Sequence, residues 1–385
     1  MIKLRISDKT EAFRGECRAW LAAHQPLSSD GEAKLDAFIR VGRAWQAELA
    51  AARLVGVHWP SQYGGRGLTL VEEAIVQEEL VRSGSPQLLG LFGITMVGPV
   101  LIEHGSAEQK ARFLSKIISA QEIWCQGFSE PGAGSDLAAI RTRARPTTGG
   151  FTLSGQKTWT SFAHIADWCF VLARTSEEGQ RHQGLSYLLV SMKSPGVSTR
   201  PLRQISGDLE FNEVFFDDVF VPQDQVVGNV GDGWRIAIST LMHERVVLSF
   251  ARQLQSETAL REIVAALGAE NHRPLRRRAA HEVAKACAVR ALAYEHLLSY
   301  AAGAKPGPEG SLDKLLWSES FQEISQLAMQ ITGKSAAYGE ESKRAGQAVH
   351  RYLYSRGRTI AAGSSEIQRN IVAERILGLP RLSYK

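Results

Sequence analysis

The hydrophobic period of this chain changes twice along its 385 residues, and that alternation limits the fold more than any single motif. In residues 1–120 apolar side chains recur three and four apart. Phe13, Cys17, Trp20 and Leu21 do so in Thr10–His24, and Leu35 to Leu54 repeats the pattern, which is the spacing of amphipathic helices. His58 to Gly67 contains Pro60 and three glycines and reads as a loop. Thr69 with Glu72 three positions on forms a capping-box signature that opens a helix towards Arg82, and a further helix is expected from Ser106 to Ile118. From about 121 to 228 the signal becomes strand-like. Gly150–Thr160 alternates, with a Ser154-Gly155 turn in its middle, and Trp168–Ala173 and Leu185–Val190 are short apolar runs. Val214–Val221 alternates loosely and stops at Pro222, which cannot continue a ladder. Helical spacing returns after Gly231, at 233–267, 274–303 and 311–331. The expected fold class is α+β, with a β domain over 121–230 set between helical domains at 1–120 and 231–385. A βαβ alternation carrying a GxGxxG turn is missing, which disfavours a Rossmann dinucleotide site.

Composition excludes several functions. Cys17, Cys125, Cys169 and Cys287 are widely spaced and form no CxxC pair, so neither a disulfide framework nor a metal site is expected. No apolar run reaches the roughly 20 residues that span a bilayer. The N-terminal MIKLRISDKTEAFRGE mixes charge signs and lacks an apolar signal core, so a cytoplasmic location is expected. The net charge of +5 is unevenly spread: residues 231–385 carry 22 Lys and Arg against 15 Asp and Glu, and 16 of the 22 are Arg. Nucleic-acid binders are usually more basic and interleave aromatics with the basic residues, so no nucleic-acid partner is expected. An Arg excess suits phosphates on a small ligand. A solvated helical surface accounts for it equally well.

Two segments carry chemistry. Trp124-Cys-Gln-Gly-Phe-Ser-Glu-Pro-Gly-Ala-Gly-Ser-Asp136 reads as a strand entering a loop of small residues, through which backbone N–H groups can approach a ligand and Ser129 and Ser135 can hydrogen-bond it. A tight turn without a ligand has the same composition. Further on, Gly155-Gln-Lys-Thr-Trp-Thr-Ser161 places an indole and a hydroxyl two residues apart, on one face of a regular strand. That arrangement suits a flat aromatic ligand, and a core tryptophan is the alternative.

These two segments, with Glu210-Phe-Asn-Glu-Val-Phe-Phe-Asp-Asp-Val-Phe-Val-Pro222 and Gly363-Ser-Ser-Glu-Ile-Gln-Arg369 in that order, closely resemble the acyl-CoA dehydrogenase family of flavoproteins, from the Trp59-Pro60 loop to Arg381. The resemblance implies a C-terminal four-helix bundle, FAD as cofactor, an acyl-CoA substrate and electron-transfer flavoprotein as acceptor. It also implies a homodimer or tetramer, or a heteromer with a related subunit. By motif, Phe128, Ser129, Gly134, Ser135, Trp159, Thr160, Ser161, Ser364 and Glu366 fall at cofactor-binding positions, and Ser135 and Arg245 at substrate-binding ones. Ser129 and Ser161 stand where Thr is commoner. The family's Arg-x-x-Phe-Gly flavin contact is not recognisable, although Arg276-Arg277-Arg278 lies in its region.

The implied reaction is α,β-dehydrogenation of a thioester, in which a carboxylate takes the α-proton while the β-hydride moves to the flavin. Preorganised donors must hold the thioester oxygen as enolate character develops, and the carboxylate gains proton affinity by desolvation. In most of the family this Glu directly precedes the terminal Gly-Thr/Ser motif. Here that position is Ala362, preceded by Ala361, and neither can move a proton. Some branches carry the base on the first long helix of the bundle, directly before an Arg. Leu241-Met-His-Glu-Arg245 matches, making Glu244 the expected base, with His243 an ordinary helix residue and Met242 in place of a common Asp. The small residues at 361–363 leave room near the α-carbon, and the Glu210–Pro222 segment resembles members acting on branched, cyclic or steroid-type acyl groups. A base-deficient partner subunit is the alternative reading; an oxidase or acyl-carrier-protein dehydrogenase is a third.

Overall fold

Residues 7–27, 34–176, 181–268, 273–333 and 343–381 are described by the computed structural model. Helices α1 (Asp8–Ala23), α2 (Lys34–Ala51), α3 (Leu70–Ser83), α4 (Gly98–His104) and α5 (Ala107–Ile118) precede a central sheet and further helices follow it, as the changes of period require. The chain divides into two units, one formed by Met1–Glu16, Leu70–Arg82 and Arg245–Lys385, the other by Cys17–Thr69 and Ser83–Glu244.

In the second unit, helix α5 (Ala107–Ile118) starts at Ser106. The Ser106 hydroxyl accepts from the Gln109 N–H at 3.2 Å and the Gln109 side chain accepts from the Ser106 N–H at 3.1 Å, a reciprocal cap. Its apolar face carries Phe113, whose ring meets Trp124 and Trp168 edge-on at 5.1 and 5.0 Å. The sheet contains β1 (Trp124–Gly127), β2 (Arg143–Thr147), β3 (Gly150–Ser161), β4 (Trp168–Arg174), β5 (Leu185–Ser191), β6 (Val197–Leu202), β7 (Phe211–Pro222) and β8 (Val226–Val227). Their order is β6-β7-β3-β2-β4-β5-β8, with β1 parallel beside β4. The core includes Phe151, Leu153, Val171, Leu188, Val214 and Val219, each fully or almost fully buried. Burial of each such side chain contributes roughly 1.5–3 kcal/mol.

The expected turn at Ser154-Gly155 is absent, and β3 runs through it as one strand of 12 residues. Gly155 has φ 150°, and a Cβ there would come within 2.6 Å of the Thr142 hydroxyl, so the glycine serves close strand approach rather than chain reversal. The irregularity is one of a pair. Between Leu153↔Val219 and Gly155↔Phe216, β7 carries one residue more than β3, and Asp218 takes up a left-handed φ of 48°. Between Lys157↔Val214 and Thr160↔Asn212, β3 carries the extra residue, and Trp159 is left-handed at φ 58°. These are two β-bulges of opposite sense, and the original register is restored by Ser161↔Phe211.

In the first unit, α7 (Arg273–Ala301), α8 (Gly310–Thr332) and α9 (Lys343–Arg358) pack with the later turns of α6 (Gly233–Leu267) around Leu260, Ile263, Ala279, Ala286, Ile324 and Ala348. A short α10 (Ser365–Ile371) follows. Helix α9 has no counterpart in the sequence reading, because its buried positions are the small Ala345, Ala348 and Ser355 and, at its end, Arg358, with no apolar stripe among the arginines and tyrosines. Helices α1 (Asp8–Ala23) and α3 (Leu70–Ser83) supply Arg14, Glu78 and Glu79 to a buried ion-pair network with Glu257 and Arg290. Among the described residues no helix is long and apolar enough to cross a membrane, and no group of His, Cys, Asp or Glu is arranged to hold a metal ion.

Candidate active site

Strand β1 ends at Gly127, where a Cβ would lie 2.8 Å from the Cys169 sulfur. Phe128 then turns its ring into the core, edge-on to Phe170 and Tyr187 at 5.8 and 6.0 Å, and is only 4% exposed. Ser129 is half-buried. Glu130 and Ala133 exchange backbone hydrogen bonds of 3.0 Å in both directions and so close the turn around Pro131-Gly132. Gly134, Ser135 and Asp136 emerge exposed, with Asp136 paired to Arg181. At Gly132 and Gly134 a Cβ would meet nothing within 4 Å, and neither residue has a left-handed φ. Packing and left-handed turn geometry leave these two glycines unexplained, and the backbone beside them is open to close approach of a ligand.

The end of β3 lies beside this loop. The Thr158 N–H donates to the Ser129 carbonyl at 2.9 Å. Lys157 is fully buried; its ammonium donates to the Phe128 carbonyl at 3.0 Å and to Glu130 Oε1 at 2.8 Å. The Glu130 carboxylate also accepts from the backbone N–H groups of Arg141 and Thr142, at 2.6 and 2.9 Å. Burial pushes the Lys157 pKa below its ordinary value, against the pull of Glu130. Burial acts to raise Glu130, but Lys157 and the donors around it hold its carboxyl below the usual range.

The bulge alters the expected geometry at residues 159–161. Regular alternation would have put Trp159 and Ser161 on one face, but the extra residue interrupts it, leaving the Trp159 ring 60% exposed and Ser161 only 9% exposed. Trp159 rests edge-on against Phe211 at 5.8 Å. Thr160 is 1% exposed, its hydroxyl lacks a partner among the described residues, and its carbonyl accepts from the buried Asn212 amide at 3.1 Å. Two members of the expected cofactor set, Phe128 and Thr160, bury their side chains, the first in the core and the second at the bulge, which leaves their backbone groups as the atoms a cofactor could meet.

The C-terminal motif belongs to the first unit. After α9 the chain turns at Ala362 and Gly363, with φ of 57° and 88°. Lys314 donates to the Gly363 carbonyl at 2.6 Å, and the Gln368 amide donates to the Ala362 and Gly363 carbonyls at 2.9 and 3.3 Å. The Ser364 hydroxyl caps α10 by accepting from the Ile367 N–H at 3.4 Å. Glu366 is exposed in the first turn, where backbone N–H groups and the Ser364 hydroxyl hold its carboxyl below the usual range. Glu244 and Arg245 lie on helix α6, and their side chains fall outside the described residues. His243, one position earlier, has Nε2 3.6 Å from Glu103 Oε2, and burial lowers its pKa despite that carboxylate, favouring the neutral imidazole at pH 7.

Glu130, Lys157 and Asn212 sit within the quoted motifs, but their roles were missed in the sequence reading. An exposed indole, two accessible hydroxyls at Ser129 and Ser135, and uncrowded glycines make a donor set that fits a flavin nucleotide.

Models of the acyl-CoA dehydrogenase N-terminal, middle and C-terminal domains match residues 7–121, 125–219 and 231–377. The chain belongs to the acyl-CoA dehydrogenase family and is an FAD-dependent enzyme of that class. It is 42% identical over 394 residues to acyl-CoA dehydrogenase IpdE1 of Mycolicibacterium smegmatis, covering 97% of this chain and 98% of the relative. Among solved structures it is similar to the ChsE4-ChsE5 complex from Mycobacterium tuberculosis, with a TM-score of 0.86, 27% identity and coverage of 99% and 100% of the two chains. It is likewise similar to the Tcur3481-Tcur3483 steroid ACAD, with a TM-score of 0.84, 28% identity and the same coverage.

Proposed function

We propose that the chain carries out α,β-dehydrogenation of a steroid-type, branched or cyclic acyl-CoA thioester, with Glu244 as the base. The observation that carries this reading is the turn at Thr359–Ser364. Its side chains at 361 and 362 are methyl groups, so the proton acceptor common in the family is replaced and has to come from another element. Glu244, directly before Arg245 on α6, supplies that carboxylate. The likeness to a steroid ACAD supports the choice of acyl group.

Bound FAD would supply the acceptor for the β-hydride. Trp159 would pack along its ring, and Ser129 and Ser161 would hydrogen-bond the ring edge. Ser135 would hold pyrophosphate and CoA phosphate groups, while Ser364 and Glu366 would contact the FAD chain and Arg245 the CoA end. The Glu244 carboxylate would take the proton from the substrate α-carbon. Enclosure by the acyl group would desolvate it and raise its proton affinity. Electron-transfer flavoprotein is the proposed acceptor.

A second reading has its own support. Both solved relatives described above are two-component assemblies by name, which favours a related partner subunit for this chain and a share of the chemistry on that partner. Purification of this chain alone separates the two. We expect a yellow protein that reduces an electron-transfer dye with an acyl-CoA, and a Glu244→Gln variant that stays yellow with turnover lowered at least about 10²- to 10⁴-fold. Wild-type turnover in that variant would overturn the base assignment. Colourless protein, or activity only beside a second chain, would favour the partner reading, and oxygen consumption with peroxide release would favour an oxidase.

A further inference from the structure

We propose that Lys157 and Glu130 are positioning residues for the flavin site, a buried pair that fixes the glycine loop against the Trp159 bulge. The inference rests on the proposed reading of 128–136 and 157–161 as cofactor-contacting segments. Neither side chain is available to a ligand: Lys157 is fully buried and Glu130 is nearly so. Their hydrogen bonds nevertheless reach both ends of the glycine loop. The Lys157 ammonium holds the Phe128 carbonyl, one residue before Ser129, and the Glu130 carboxylate at the root of the loop. Glu130 in turn holds the backbone N–H groups of Arg141 and Thr142, where the loop re-enters the sheet ahead of β2. Its own backbone closes the 130–133 turn through Ala133.

The pair is placed so that a small error in it would move the site. Lys157 is the last β3 residue paired before the bulge, and Trp159 follows two positions later in a left-handed conformation. The Thr158 N–H bond to the Ser129 carbonyl is the next link between loop and strand. Loop and bulge thus share one fixed point, made of charge rather than apolar contact. A charged pair with every acceptor occupied is directional, so it specifies where the loop sits as well as that it is buried. An apolar pair would allow the loop to slide along β3.

The test uses the full chain stripped of FAD, with Glu130→Gln and Lys157→Met as variants. Melting temperature of the stripped protein, FAD affinity by titration and the visible spectrum of the bound flavin are measured for each. We expect folded variants whose FAD dissociation constants rise about 10- to 100-fold and whose flavin bands shift from the wild-type positions, as when a supporting shell loosens its ligands. Variants that melt earlier yet bind FAD with wild-type affinity and spectrum would show a purely structural pair and overturn the proposal. If Lys157→Met does not fold, Glu130→Gln carries the test, because its amide oxygen can still accept from Lys157. Failure of both to fold would make the pair a folding element and also overturn it. If wild-type protein takes up no FAD, the cofactor reading fails along with the proposal, an outcome separate from the others.

Discussion

His296 on α7 and Asp313 on α8 face each other with Nδ1 and Oδ2 2.8 Å apart. The hydrogen bond to Asp313 raises the His296 pKa, and burial opposes it without cancelling it. A group whose folded pKa exceeds its unfolded value contributes stability that is fully present below the unfolded pKa and lost as pH rises through the folded one. The His296 contribution is therefore lost as pH is raised from about 6 to about 8, opposite in sign to that of the half-buried His104, His164 and His243. The gap in melting temperature between wild type and His296→Gln is expected to narrow over that range, readable by thermal scans at several pH values. At this scale the candidate site was partly legible in the sequence. Ser129, Ser135 and Trp159 stand out as candidates because loop composition and local spacing mark them. Glu130, Lys157 and Asn212 could not, because a buried polar side chain is intelligible only through its partner, and Lys157 meets its carboxylate 27 positions away.

Helices with clear apolar stripes and strands with apolar runs were predictable from periodicity. Strands β2 and β6 were not, because four of the five residues of β2 and four of the six of β6 are exposed. Pro201 in β6 would have argued against a strand, yet β6 lies at the sheet edge, where a missing N–H is tolerated. The bulges in β3 and β7 were equally hidden, since nothing local distinguishes Asp218 from an outward-facing strand residue. Asp218 is held in its left-handed conformation partly by Ser154, whose hydroxyl donates to Asp218 Oδ1 at 2.6 Å. Asp218→Ala would lose that bond and leave a methyl side chain at positive φ. A loss of about 1–2 kcal/mol is expected, measurable by denaturant unfolding.

Across the molecule, the arginines of residues 231–385 prove to be largely engaged by the protein itself. Arg278, Arg290, Arg351 and Arg369 pair with carboxylates, and Arg252, Arg356 and Arg358 lie over aromatic rings. Arg290 is the most consequential. It pairs with Glu257 at 2.9 Å and with Glu78, which also pairs with Arg14, so helices distant in sequence share one buried network. Burial disfavours the Arg290 charge, but the two carboxylates raise its pKa above the ordinary value. Arg290→Met would strand buried carboxylates without their cation. A loss of about 3–5 kcal/mol is expected, with a melting temperature well below wild type, and replacing Glu257 as well should recover part of it.

The paired bulges of β3 and β7 have an evolutionary consequence. Each strand holds one extra residue, and the two surpluses cancel, so the out-of-step stretch is confined to Gly155–Lys157 opposite Val214–Phe216. A deletion in one strand alone would carry that mismatch to the end of the sheet and exchange inner for outer side chains along it. Insertions and deletions at these points should therefore be inherited together, so that relatives lacking the residue at 218 also lack the one at 159.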